Sequence, residues 1–61
     1  MANLTAKELS ALEDHLTMEQ LLVKKYRTYA SATTDPQIRQ KCEQIAQKHQ
    51  SHYTRLLGHL S

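Results

Sequence analysis

The sequence predicts an all-α fold in which two antiparallel helices form a hairpin, and two hairpins pair into a four-helix bundle. Apolar residues recur every three or four positions along both halves of the chain, which is the spacing of one helix face packed against a partner. Glycine and proline occur once each, so few residues would interrupt a helix. A chain of 61 residues allows one domain and buries too little surface to be stable alone.

The first helix is predicted over about residues 5–33. Thr5 is followed three positions later by Glu8, which is the pattern of a capping box, where the hydroxyl and the carboxylate each bond a free backbone N–H. No glycine or proline precedes Pro36. The residue before a proline is pushed out of the helical region, so the first helix should end near Thr33.

The second helix is predicted over about residues 36–58, so that residues 1–61 form a single hairpin. Asp35 is a favourable N-cap, Pro36 is a favourable first helical residue, and Gly58 is the expected C-terminal stop. The connection is only a few residues long, which makes the helices antiparallel neighbours. No strand pattern competes, because β-branched residues do not alternate with polar ones.

Each helix has one predicted buried face. The face of the first helix consists of Leu9, Leu12, Leu16, Glu19, Val23, Tyr26 and Ala30. The face of the second helix consists of Ile38, Cys42, Ile45, His49, His52, Leu56 and His59. A carboxylate and imidazoles on such faces are costly unless they find partners, which singles out Glu19, His49 and His52.

Simple hairpin geometry brings these three residues together. With the turn near residues 34–35, residue i faces about residue 69 − i, so Glu19 faces the stretch between His49 and His52. At a rise of ~1.5 Å per residue, this height is about 22 Å from the turn. Carboxylate and neutral imidazole bind zinc, iron, manganese and similar ions. The three residues are therefore a candidate site for a divalent metal ion; the alternative is a hydrogen-bonded cluster that specifies helix register.

Two motifs resemble those of a known family. An Ile-Ala dipeptide precedes His49-x-x-His52, and Glu19 precedes Tyr26 by two turns. These motifs resemble a ferritin-like bundle of the rubrerythrin kind, in which an Ile-Ala-x-x-Glu-x-x-His motif carries metal ligands. The resemblance aligns Glu19 and His52 with ligand residues. It departs at His49, where that family has glutamate, and the missing carboxylate argues against di-iron oxidase or peroxidase chemistry.

Four stretches carry a narrower resemblance over about residues 5–60. They are Leu9-Ser-Ala-Leu-Glu-Asp, Met18-Glu-Gln-Leu-Leu, Asp35-Pro36 and Lys48-His-Gln-x-His-Tyr53. These stretches are similar to small spore coat protein F-like proteins of spore-forming bacteria, which are ferritin-like hairpins. The resemblance implies a structural or assembly protein of the spore coat, with other coat proteins as partners and no established enzymatic activity.

Two other functions remain open from the sequence. A ferritin-like redox or storage protein needs more carboxylates, since Glu19 is the only one of six acids on a predicted buried face. An RNA-binding hairpin dimer could use Lys24, Arg27 and Lys48, but no aromatic stacking platform accompanies them. We therefore expect the chain to pair with itself, and expect neither membrane nor nucleic acid as a partner.

The location of the protein is expected to be intracellular. No run of 18 apolar residues and no signal-peptide pattern are found in the sequence. The single cysteine, Cys42, cannot form an internal disulfide, which fits a reducing compartment.

Overall fold

The structure is a computed structural model that describes residues 3–60. Helix α1 spans Ala6–Ala32 and helix α2 spans Pro36–Leu57, and a 3₁₀ turn, Gly58–Leu60, follows. These residues contain no strand, so the predicted all-α hairpin is confirmed, and both helices begin and end within one residue of their expected bounds. Residues 1, 2 and 61 of the predicted hairpin lie outside the described range. Neither helix in that range is long and apolar enough to span a membrane.

Helix α1 begins at the predicted capping box. The Thr5 hydroxyl oxygen accepts a hydrogen bond from the Glu8 backbone N–H at 3.1 Å, and the Glu8 carboxylate accepts one from the Thr5 backbone N–H at 3.0 Å. Two contacts with Thr5 lower the pKa of the Glu8 carboxyl group, the backbone N–H more strongly than the hydroxyl. Both contacts favour the ionised form of the carboxyl group.

This cap predicts a pH-dependent contribution to stability. The pKa of Glu8 is lower in the folded chain than its ordinary value of 4.5. Ionised Glu8 therefore stabilises the folded chain above pH 4.5, and this stabilisation is lost as the pH falls through the lower folded pKa. Glu8→Gln keeps a capping side chain without a titrating charge. Between about pH 7 and pH 3, the melting temperature of the wild type should therefore fall further than that of Glu8→Gln. An equal fall would contradict the contribution of the ionised cap.

The turn between the helices is closed by the N-cap residue of α2 and by a side chain from its first turn. Asp35 accepts hydrogen bonds from the next two free backbone N–H groups, at 2.8 and 3.2 Å, as its predicted N-cap role requires. Arg39 reaches back to α1 and donates to the carbonyl oxygens of Ala30 and Thr33, at 3.3 and 2.9 Å. Carbonyl groups at a helix end have no partner within the helix, so Arg39 ties the end of α1 to the first turn of α2.

Helix α2 ends before Gly58, as predicted, but without the left-handed backbone typical of a glycine stop. Gly58 has φ of −58° and ψ of −24°, which is right-handed, and the chain continues into the 3₁₀ turn. The last turn therefore tightens into a 3₁₀ turn, and Gly58 does not adopt a left-handed conformation.

The two helices bury few residues against one another. The buried residues are Leu16, Glu19, Val23, Ala30, Cys42 and Ala46. Ala46 is the deepest, at 2% exposure, whereas the predicted face passes through its neighbour Ile45, which is half-buried. The predicted face is also wrong at its edges, since Leu9 and Ile38 are 39% and 52% exposed and His59 is exposed. Helix α2 turns Ala46 toward α1 because a small side chain at the contact allows close helix packing.

The hairpin is a single layer of helices. Its Cα extents are 46 × 15 × 10 Å, and a second packed layer would add about 8–10 Å to the smallest of them. Several large apolar side chains remain exposed on this layer, namely Leu4, Leu9, Met18, Leu21, Tyr29, Ile38 and Leu57. Domains are usually built from at least two packed layers, so the hairpin has apolar surface available for another one.

Candidate metal centre

Glu19, His49 and His52 converge about halfway along the hairpin, and we call them the Glu–His–His cluster. Nδ1 of His49 lies 3.0 Å from one carboxylate oxygen of Glu19, and Nδ1 of His52 lies 3.0 Å from the other. The predicted convergence of the three residues is therefore confirmed. The Glu19 side chain is 5% exposed, against 22% for His49 and 44% for His52. The carboxylate thus lies at the bottom of the cluster, with the two imidazoles nearer the surface.

The antiparallel geometry of the hairpin explains this meeting point. Side chains on a helix lean toward the N-terminus of their own helix. Glu19 therefore leans away from the turn, while His49 and His52 lean toward it. The two histidines are three residues apart, which places them on one side of α2. They consequently approach the same carboxylate, one histidine to each oxygen.

Hydrogen bonding within the cluster indicates which imidazole nitrogens carry protons. An ionised carboxylate only accepts hydrogen bonds, so each histidine donates from Nδ1–H to Glu19. A buried carboxylate without donors is strongly destabilising, and here each oxygen has one donor. Among residues 3–60, no buried side-chain nitrogen or oxygen lacks a partner. The two histidines therefore satisfy the buried carboxylate of Glu19.

Tyr26 supports the cluster in a way that the sequence did not predict. Its ring stacks on that of His49, with centroids 6.2 Å apart and an interplanar angle of 16°. Tyr29 packs edge-on against Tyr26 at 5.8 Å, and Nζ of Lys25 lies 6.0 Å from the Tyr26 ring centroid. The simple pairing rule places Tyr26 opposite residue 43. Side chains on antiparallel helices lean in opposite directions, which brings Tyr26 and His49 toward each other instead. This lean follows from the antiparallel arrangement alone, so the contact could have been predicted from the sequence.

A second hydrogen bond between the helices lies beside the cluster. Nε2 of Gln20 is 3.2 Å from the Tyr53 hydroxyl and donates to it. Gln20 follows Glu19 in α1, and Tyr53 follows His52 in α2. This contact therefore helps to hold the two helices in the register that the cluster requires.

The cluster has the composition and spacing of a metal site. The three side chains each offer a ligand atom, and these atoms lie within 4.8 Å of one another. Two imidazoles and a carboxylate are a common donor set for zinc and other first-row divalent ions. The Glu–His–His cluster could therefore hold a metal ion. Comparisons of the chain with models of protein families, with curated proteins and with solved structures gave no match.

The other two histidines and the cysteine make no hydrogen bond with the cluster. His15 and His59 are exposed, and His15 lines a small groove together with His52. Cys42 is a buried free thiol within α2. On the other side of the hairpin, an open groove is lined by residues that are polar apart from Val23, namely Gln20, Val23, Lys24, Arg27, Thr28, Ser31 and Gln50. We refer to this side as the polar face.

Proposed function

We propose that this chain is a structural protein that assembles as a homodimeric four-helix bundle and binds a divalent metal ion at the Glu–His–His cluster. The observation that carries the proposal is the convergence of one carboxylate and two imidazoles, with ligand atoms within 4.8 Å of one another. Zinc is the leading ion, and iron and manganese are the alternatives, because imidazole suits zinc and iron whereas carboxylate suits manganese.

The dimer is supported by the small amount of surface that one hairpin buries. Leu16 and Val23 are the only buried large aliphatic residues in the described part of the chain, whereas seven large apolar residues are exposed. Isolated domains of this size rarely reach useful stability on a single small core. A second copy, related by a two-fold axis, would supply a matching apolar surface, because the same patch is used on both copies.

A structural role is favoured over redox or storage chemistry by the distribution of carboxylates. Bundle proteins with two metal ions use several inward-facing carboxylates, whereas Glu19 is the only acid in the cluster. The other five acids are exposed, namely Glu8, Glu13, Asp14, Asp35 and Glu43. Association with a spore coat rests on the sequence resemblance alone and stays a prediction.

Zinc should raise the melting temperature of the wild-type protein, because a ligand that binds only the folded state stabilises it. At zinc concentrations about 100 times the dissociation constant, the gain is about 2.7 kcal/mol, or roughly 10–20 °C for a domain of this size. His52→Ala should lose most of this shift. Because the His52 side chain is 44% exposed, the variant should still fold.

His59→Ala is the matched control, since it removes an exposed histidine outside the cluster. This variant should keep the full zinc-dependent shift. If His52→Ala kept the full shift as well, zinc would bind outside the cluster. A wild-type protein that shows no shift would contradict the metal function, and the cluster would then serve only to hold the helices in register.

A further inference from the structure

Arg27 lines three neighbouring grooves on the polar face. The first of them, described above, also contains Lys24, and no acidic residue lines it. Glu43 lines the other two. We call the first groove the Arg27 groove. It carries two positive charges and no negative one.

The cations of the Arg27 groove have no carboxylate partner. Both ion pairs within residues 3–60 join Glu19 to a histidine, so neither Lys24 nor Arg27 is paired with an acid of that range. Arg39, which lines an adjacent groove, differs because it donates to two carbonyl oxygens at the end of α1. The positive charges of Lys24 and Arg27 are therefore left for solvent or for an anionic ligand.

Polar side chains from both helices surround the two cations. Ser31 lies one turn beyond Arg27 on α1, and its hydroxyl group can donate a hydrogen bond. Gln50 contributes an amide group from α2. Thr28 is the exception, because its hydroxyl already donates to the carbonyl oxygen of Lys24 at 2.9 Å. One groove thus combines guanidinium, ammonium, hydroxyl and amide donors.

A phosphate group matches this set of donors better than a carboxylate does. A phosphate monoester carries a charge of about −1.5 to −2 at pH 7 and three strong acceptor oxygens, whereas a carboxylate has a single charge and two oxygens. Arginine binds phosphate through two parallel N–H···O bonds, and lysine binds it as a point charge. The two positive charges of the Arg27 groove therefore correspond to the charge of one phosphate group.

The surroundings of the groove favour a small anion over a nucleic acid. On α1, Glu13 lies on the same stripe as Lys24, three turns earlier, and Glu43 lies beside Arg27 in the adjacent groove. A long polyanion would meet these two exposed acids. No aromatic side chain lines the Arg27 groove, so unpaired bases would find no stacking surface there.

The Arg27 groove stays open in the proposed dimer. The helical spacing of α1 places the half-buried residues Leu22 and Tyr26 on the side opposite Lys24 and Arg27. Val23, which is buried, lies between the two sides. A second copy that covers the apolar side chains therefore leaves the groove accessible.

We propose that the Arg27 groove is a binding site for a small phosphate-bearing anion. Arg27 and Lys24 are its charged contacts, and Ser31 and Gln50 are its hydrogen-bond donors. This site is separate from the Glu–His–His cluster and needs no bound metal, so it goes beyond the proposed structural and metal-binding function.

An NMR titration of the metal-free protein with inorganic phosphate at low ionic strength tests the proposal. The amide signals of residues 24–31 and of the Gln50 side chain should shift and reach saturation. Acetate at the same ionic strength should leave these signals in place. Arg27→Gln should weaken phosphate binding by about 10- to 100-fold, which is the usual cost of losing hydrogen bonds to a charged group.

Lys25→Gln is the matched control, since it removes one positive charge from the neighbouring residue. Nζ of Lys25 lies 5.8 Å from the ring centroid of Tyr29, on the side of α1 away from the groove. The variant should therefore bind phosphate within about twofold of the wild type, because salt screens distant charges. Equal weakening in the Arg27 and Lys25 variants would mean general attraction to a basic chain, and would overturn the site.

The remaining outcomes decide the class of ligand. Equal binding of acetate would overturn the preference for phosphate. A single-stranded RNA oligomer that bound more tightly, and lost this affinity in Arg27→Gln, would make the ligand a nucleic acid and overturn the small anion. Signals that do not saturate at millimolar phosphate would overturn the site itself. Each of these results leaves the proposed dimer and metal function untouched, because none of them involves the Glu–His–His cluster.

Discussion

Ile45→Ala is expected to lower the free energy of unfolding by about 2–5 kcal/mol, which is the usual range for truncating a buried isoleucine. Ile45 is only half-buried within one hairpin, so the full effect requires that the second copy of the proposed dimer covers it. The same substitution should therefore weaken the dimer. Chemical denaturation measures the first effect, and sedimentation equilibrium at micromolar concentration should show a larger monomer fraction than in the wild type.

Gln47→Ala is the matched control for this experiment. Gln47 is exposed two positions along the same helix and lines a groove with Arg27 on the polar side. Its substitution should change the stability by no more than about 0.5 kcal/mol, as is usual for surface sites. The dimer would be contradicted if the wild type were a folded monomer with the 7.0 kDa mass of one chain, and Ile45→Ala were no more destabilising than the control.

Ala46→Leu should destabilise the hairpin itself by about 1–3 kcal/mol, because a larger side chain in a packed site forces strain or backbone displacement. Ala46 is 2% exposed and faces α1, so the added atoms would push the helices apart. Glu19 and His49 meet across the same interface at 3.0 Å. The variant should consequently lose stability in chemical denaturation and also lose part of the zinc-dependent shift in melting temperature.

Gln47→Leu separates this packing effect from the general effect of adding a leucine. It places the same side chain at the adjacent, exposed position, where a change within about 0.5 kcal/mol is expected. If the two leucine variants had the same denaturation midpoint, Ala46 would not lie at the helix contact. The comparison therefore tests the rotation of α2 seen in the structure.

The ends of the helices were predictable because the interactions that form them are local. Thr5 and Glu8 are three residues apart and bond each other's backbone. Asp35 caps the two N–H groups that follow it closely in sequence. Such contacts need no knowledge of the rest of the chain. Arg39 was not predicted, because its partners are carbonyl groups of α1 that come within reach only after the chain has reversed direction.

The Glu–His–His cluster was predictable for a different reason. A short connection makes the two helices antiparallel, and residue numbers alone then give the height at which Glu19 meets the second helix. His49 and His52 lie on either side of that height. The role of each imidazole nitrogen was not predictable, since it depends on the direction in which each ring meets the carboxylate.

The sequence by itself determined the all-α class, the helix bounds and the meeting of Glu19 with two histidines. Only the tertiary structure decided that Ala46, and not Ile45, faces α1. The physical reason is that a spacing of three or four residues is compatible with two neighbouring stripes on α2, and side-chain size at the contact selects between them. That choice leaves Ile45 half-buried at the edge of the helix contact, where another layer of the proposed bundle would cover it.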